Sequence, residues 1–369
     1  MRRAPAFATA TLAALLAAAA CSPGTPLPSP AESPPAQASP GAPSPSPAQS
    51  PTAPASPSAG GTLTVYSGRS QELVGPLLDR FQEQSGITVE VRYGDTAELA
   101  ALLLEERDNT PADVYFAQDA GALGAVSAAD MLSELPPELL DRVPSAFRSP
   151  AGQWLGLSGR ARVVVYDSRE LSESDLPETI EGFTDPVWRG RIGWAPTNGS
   201  FQSFVTGFRQ LRGEEATRDW LEGMLANEPR RYEGNSPIVQ AVADGEIDVG
   251  FVNHYYLLRA LAEQVDEFPV RNQYISGDDP GALINVAGVG ILAASERQAA
   301  AHELLGFLLS EESQRYFATE TFEYPLVAGV AGPAGAPPLE NLQVPELDLS
   351  DLADLQGTLR LLQDVGVLP

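Results

Sequence analysis

The 369-residue sequence predicts an α/β fold, and three observations carry that expectation. Short apolar runs rich in β-branched residues alternate with stretches whose apolar positions recur at helical spacing. Strand, helix and strand follow one another in that order. The part able to fold, residues 61–369, is long enough for two domains with buried cores.

Taken in order, Leu63 to Tyr66 reads as a strand, and Leu73, Val74, Leu77, Leu78 and Phe81 then recur at helical spacing before a second strand at Ile87 to Val91. A helix is expected over Ala97 to Arg107, and strands over Asp113 to Phe116, Arg162 to Tyr166 and Ile192 to Trp194. Helices follow at Phe201 to Leu211, Glu215 to Ala226 and Ile238 to Asp244, then a strand at Val249 to Val252 and a helix at Tyr256 to Glu263. The series ends with a strand at Gly288 to Ala293 and a helix at Ser295 to Ser310, and no internal repeat is visible. This order predicts a parallel sheet joined by right-handed crossovers, with ligands at the carboxyl ends of the strands. The loop Ser67-Gly68-Arg69-Ser70, after the first strand, is therefore the first candidate binding loop.

Composition narrows the chemistry. There are 23 basic residues, none of them lysine, against 49 acidic ones, a net charge of −26. The absence of lysine removes the phosphate loop that ends in Gly-Lys-Ser/Thr, Schiff-base chemistry and every lysine nucleophile. A single cysteine, Cys21, leaves no intramolecular disulfide and no cysteine-built zinc or iron–sulfur site. So acidic a chain is repelled by a phosphate backbone or an anionic leaflet, which argues against nucleic acid and against direct membrane contact.

Residues 1–20 open on Arg2 and Arg3 and run through an apolar stretch from Leu12 to Ala20, the layout of a secretory signal too short to span a bilayer. Cys21 follows, at the position where bacterial lipoproteins carry their lipid. From Ser22 to Gly60 the chain is almost entirely Pro, Ser, Ala, Gly and Thr, a composition that buries no core. Residues 21–60 are expected to be a lipid-anchored, disordered tether that holds the folded part away from the membrane.

Signs of covalent catalysis are poor. No Gly-x-Ser-x-Gly elbow occurs, the two histidines, His254 and His302, lack zinc-site spacing, and none of the many acid pairs is singled out. The informative segment is Gly250-Phe251-Val252-Asn253-His254-Tyr255-Tyr256. An apolar strand runs out beside two adjacent tyrosines at the start of a helix, and a strand-to-helix turn can aim both rings into one cleft. Two deprotonated phenols make a hard oxygen-donor pair suited to a hard trivalent cation. Tyrosine doublets are also common as half-buried packing residues, so the pair by itself is unspecific.

Wider matches add to this. They comprise Thr64-Val65-Tyr66-Ser67-Gly68-Arg69, Thr110-Pro111-Ala112-Asp113-Val114, the run from Gly156 to Asp167, Ala195 to Phe201, Asn235-Ser236, Gly245 to Asp248, Asn253 to Tyr256, Asp279 to Leu283 and Glu323 to Leu326. In these segments the chain resembles the bacterial periplasmic ferric-iron-binding proteins, the substrate-binding components of iron ABC importers with a transferrin-like bilobal fold. The resemblance implies a type II periplasmic-binding-protein fold, with two α/β lobes around a ligand cleft. Lobe 1 would comprise residues 61–162 and 283–335, and lobe 2 residues 163–282 and 336–369. It implies no enzyme but a monomeric receptor that closes on ferric iron and delivers it to a permease and its ATPase, exported and attached to the membrane through its lipid anchor alone.

The resemblance further implies that Tyr255 and Tyr256 are the iron-binding phenolates, that Asn198, Gly199 and Ser200 hold a bound anion, and that Asn235 and Asn253 donate to or support it. Ser70 stands where many relatives have a histidine, Gln118 and then Asp119 where they have a glutamate ligand, and Phe201 where some have a third tyrosine. Gln118 and Asp119 are therefore further candidate ligands. Two phenolates on a ferric ion leave a positive charge and most of an octahedral shell unfilled. A synergistic anion such as carbonate or phosphate is expected to complete the site, with Arg69, Arg160 and Arg162 as candidate partners. The rival readings are a receptor of the same fold for sulfate, phosphate, a polyamine or thiamine, and a secreted hydrolase.

Overall fold

The computed structural model describes residues 61–263 and 268–369. The expected signal, tether and Cys21 lie outside the described residues. Among the described residues, ten strands form one sheet: β1 (Thr62–Ser67), β2 (Thr88–Tyr93), β3 (Val114–Ala117), β4 (Trp154–Asp167), β5 (Ile192–Trp194), β6 (Arg230–Arg231), β7 (Val249–Asn253), β8 (Val270–Gln273), β9 (Ile284–Ile291) and β10 (Tyr324–Pro325). Their order is β2-β1-β3-β9-β4-β7-β5-β6, with β8 and β10 also pairing with β4.

The expectation of a parallel sheet is corrected. β1 pairs in parallel with β2 and β3, and β5 with β6 and β7. The two parallel groups are joined through β4 and β9, which run antiparallel to each other and to β3 and β7. Parallel pairing follows from the helical crossovers within each lobe. Antiparallel pairing enters where the chain passes from one lobe to the other and back.

β4 makes the first passage. All 14 of its residues are buried. Trp154 to Ala161 pair with β9, and Arg162 to Tyr166 with β7. The packing changes over at the same place: Ala161 belongs to a core that includes Leu63, Phe116 and Trp154, whereas the next residues alternate between two cores on opposite faces of the second lobe. Val164 and Tyr166 join Trp194, Phe204 and Phe251, while Val163 and Val165 join Ile238 and Val252, the period-two alternation of a strand covered on both faces. The return passage lies between Ala282, in the second lobe's core, and Leu283, in the first's. The C-terminal stretch touches both lobes, with Leu349 and Leu352 in the first core and Leu361, Leu362 and Val367 in the second.

Helices Gln71–Ser85, Thr96–Glu106, Gly199–Arg212, Glu214–Ala226, Asn235–Ala243, Tyr255–Glu263 and Gln298–Leu308 lie where the apolar periodicity places them. Helix Ala120–Ala128 was not read from the sequence, because its small residues show no amphipathic period. Helices Glu311–Thr319 and Leu355–Asp364 and the short strands β6, β8 and β10 also went unread. No helix among the described residues is long and apolar enough to cross a membrane.

Candidate binding cleft

A cleft of about 580 Å³ is lined by residues of both lobes. Gly68, Gln118 and Asp119 come from one side, Asn198, Gly199, Ser200, Asn253, Tyr255 and Tyr256 from the other, and Arg160, Arg162 and Asn285 from β4 and β9.

Tyr255 and Tyr256 are placed by the end of β7. Strand pairing continues one residue past Asn253, with the His254 amide donating to the Ala161 carbonyl at 3.0 Å, and the helix then starts at Tyr255. Both rings thus reach the cleft, stacked with centroids 4.3 Å apart. Burial pushes the Tyr255 phenol well above its ordinary pKa, its Tyr256 neighbour adds to this, and Arg160 opposes it. Without a bound cation Tyr255 is therefore neutral. His254 turns away from the cleft. Its Nδ1 accepts from the Ala161 amide at 3.2 Å, its ring stacks on Tyr324 at 4.6 Å, and burial pushes it down to about 4.

A positive charge is supplied by Arg162, which is 4% exposed. Its Nη2 donates to the Phe251 carbonyl at 3.1 Å, and its guanidinium lies 5.0 Å from the centroid of the Phe204 ring. Nε and Nη1 are buried without a partner, and burial lowers the group to about 9 although Tyr256 opposes the shift. A buried cation with two idle donors on a cleft wall is a strong demand for an anion.

A second set of donors lies at the start of helix Gly199–Arg212. Asn198 caps it, its Oδ1 accepting from the Ser200 amide at 3.0 Å and the Ser200 hydroxyl at 2.6 Å. The first-turn amides of a helix capped this way favour negative charge. Asn235 is buried behind this turn, donating to Asn198 Oδ1 at 3.2 Å and to Ser200 Oγ at 3.3 Å, so it braces the cap rather than lining the cleft.

Other sequence candidates are not brought to the wall. Arg69 is 2% exposed and turns inward, its Nη2 2.8 Å from Glu323 Oε2. The expectation that Arg69 meets an anion is corrected by this buried ion pair, which compensates a carboxylate that burial alone would leave costly. Burial works to raise Glu323, but Arg69 and Arg160, with the Ser158 and Thr321 hydroxyls, hold it below its usual range. Ser67 donates to the Arg69 carbonyl at 2.9 Å, and Ser70 is the exposed cap residue of helix Gln71–Ser85, so neither lines the cleft. Phe201 is buried against Trp194.

Gln118 and Asp119 do line the cleft. Gln118 is held there through its backbone, its main-chain carbonyl accepting from Arg160 Nη2 and its main-chain N–H donating to Thr96 Oγ1. Asp119 caps helix Ala120–Ala128, its Oδ1 accepting from the Gly121 amide at 2.8 Å. Among the described residues, no three of His, Cys, Asp and Glu gather in an arrangement that could hold a metal ion. Asn285, on β9, and Ser203 also line the cleft and were not singled out from the sequence. The one available signal was a polar Asn inside an otherwise apolar strand, Ile284–Ile291.

The geometry now stands beside known proteins. Residues 109–348 match the family model of bacterial extracellular solute-binding proteins. The major ferric iron-binding protein of Neisseria meningitidis serogroup A is 35% identical over 311 residues, covering 83% of this chain and 93% of that protein. Iron-bound HitA from Pseudomonas aeruginosa superposes with a TM-score of 0.76 at 34% identity, covering 83% of this chain and 99% of that one. A Trichodesmium protein solved with iron and citrate ligands gives a TM-score of 0.74 at 28% identity, with the same coverage. The fold shared with these structures is the two-lobed periplasmic type II fold. The chain belongs to the bacterial extracellular solute-binding proteins, in the group whose named members bind ferric iron.

Proposed function

We propose that this protein is the substrate-binding component of an ABC importer, which takes ferric iron between its lobes and delivers it to a membrane permease and its ATPase. Tyr255 and Tyr256 supply two phenolates, and the protons they lose are displaced by the cation. A synergistic anion, carbonate, phosphate or the carboxylate of a chelator, completes the shell. It is held by the first turn at Asn198, Gly199 and Ser200, by Asn253 and by Arg162. The lobes, residues 61–162 with 283–335 and 163–282 with the chain from helix Leu355–Asp364 onward, close by a hinge about the ligand, the stretch between residues 336 and 354 packing on the first lobe rather than the second. The receptor works as a monomer outside the cytoplasm, anchored through Cys21.

The observation that carries this reading is the pairing, within one cleft, of a stacked tyrosine doublet with a buried arginine whose Nε and Nη1 have no partner. Phenolates answer the cation and the arginine answers an anion. The test is a ferric titration from a weak chelator in buffer stripped of carbonate and phosphate, followed by restoration of each anion separately. The expected result is a red to orange complex of one iron per chain that tightens when anion returns. A colourless protein under every condition defeats the iron assignment. Tight coloured binding in stripped buffer, with no chelator retained, defeats the anion assignment.

A further inference from the structure

We propose that Asn285 is a positioning residue that holds the Asp119 carboxylate out of the cation's coordination shell, and so makes an exogenous anion necessary. The proposal rests on the tyrosine-pair reading and concerns why that site is incomplete.

The cleft wall carries two carboxylates, Asp95 and Asp119. Asp95 is exposed and caps helix Thr96–Glu106 through Oδ1. Asp119 is half-buried and is the better placed to compete with an anion, yet both its oxygens are engaged: Oδ1 by the Gly121 amide at 2.8 Å and Oδ2 by Asn285 Nδ2 at 2.5 Å. Asn285 is itself fully committed. Its second Nδ2 proton goes to Ser203 Oγ at 2.8 Å, and its Oδ1 accepts from the amides of Ala120 at 3.3 Å and Val286 at 2.7 Å. An amide with both donors and both acceptor positions used has one stable orientation.

The backbone fixes that orientation. Asn285 stands directly opposite Arg160 in the β4–β9 pairing, and Arg160 Nη2 grips the Gln118 carbonyl. Two cross-strand neighbours thus pin consecutive residues of one loop, Arg160 at Gln118 and Asn285 at Asp119. Ser203, on helix Gly199–Arg212, ties Asn285 to the lobe that carries the anion turn. The carboxylate is turned to its helix and to Asn285, and the shell is left for a ligand from solution.

The test compares the full chain with its Asn285→Ala and Asn285→Ser variants in ferric titrations with and without carbonate or phosphate, reading the visible band and checking the thermal midpoint of each iron-free protein. Freeing Asp119 should strengthen binding in anion-stripped buffer by about 10–100-fold, the scale on which outer partners tune metal sites. The band should also move to shorter wavelength, because a carboxylate donates charge to the iron and raises the energy of phenolate-to-iron transfer. Adding Asp119→Asn to either variant should abolish both effects. If Asn285→Ala folds poorly, the serine variant, which keeps a polar group, gives the same reading. Unchanged anion dependence and an unchanged band beside a coloured wild type overturn this inference alone. Weaker binding in stripped buffer also overturns it, since Asp119 would then already be a ligand that Asn285 orients. A wild type that stays colourless with anion present overturns the tyrosine reading and this inference together.

Discussion

Asp279 carries a conflict between capping and charge. Its Oδ1 accepts from the Gly281 amide at 2.7 Å and both oxygens reach toward the Ile180 amide, holding the turn at which the chain leaves the second lobe. Burial pushes the carboxyl up to about 6, with Glu181 adding to the rise against the pull of those amides. A carboxylic acid whose folded pKa exceeds the unfolded value, about 3.9, is stabilising in its protonated form: the contribution is complete below about pH 4 and lost as pH rises through about 6. Asp279→Asn keeps the cap and removes the ionisation. It should raise stability above pH 7 by about 1–2 kcal/mol and leave it unchanged near pH 4, as thermal melts at the two pH values would show. Equal melts at pH 8 would contradict the assignment. At this scale the sequence reveals much about the cleft and little about its support. Tyr255 and Tyr256 are legible because a strand runs out beside them. The partner of Arg69 is not, because Glu323 lies 254 positions away and no local pattern links the two.

Among the elements, helix Ala120–Ala128 shows why periodicity failed. Its glycines exist for close backbone approach, not for amphipathic packing. A Cβ on Gly121 would lie 2.4 Å from the Leu352 carbonyl oxygen, and one on Gly124 2.5 Å from that of Ser350. The C-terminal stretch is thereby seated on the first lobe before it enters helix Leu355–Asp364 of the second, where Thr358 Oγ1 meets Thr206 Oγ1 at 2.7 Å. Gly124→Ala should destabilise the fold by about 1–3 kcal/mol, since the obstruction is backbone and cannot swing aside. A denaturant midpoint equal to that of the wild type would show that the C-terminal stretch yields freely. The strands and helices with regular alternation were legible in order. The strands β6 (Arg-Arg), β8 (Val-Arg-Asn-Gln) and β10 (Tyr-Pro) were not, because they lack the apolar run that marks the comparably short β3 and β5, and their pairing is decided by distant partners.

For the whole molecule, the sequence pattern gave α/β lobes but misjudged how they are joined. Strand-helix-strand order implies parallel pairing only within a lobe. The crossings at β4 and β9 are long-range events and run antiparallel. That topology places Arg160, Arg162 and Asn285 on crossing strands and the tyrosines at the exit of β7, so that buried guanidinium groups and a phenol pair line one cleft. The central claim is that iron is held there by Tyr255 and Tyr256. Its most direct test is resonance Raman spectroscopy of the ferric-loaded full chain, excited in the visible band, beside the Tyr255→Phe, Tyr256→Phe and doubly substituted proteins. The phenylalanine rings preserve the packing and delete only the oxygens. Enhanced tyrosinate vibrations in the wild type, altered in each single variant and absent from the double, are the predicted result; a coloured iron complex that survives the double substitution, or one without tyrosinate modes, would contradict it.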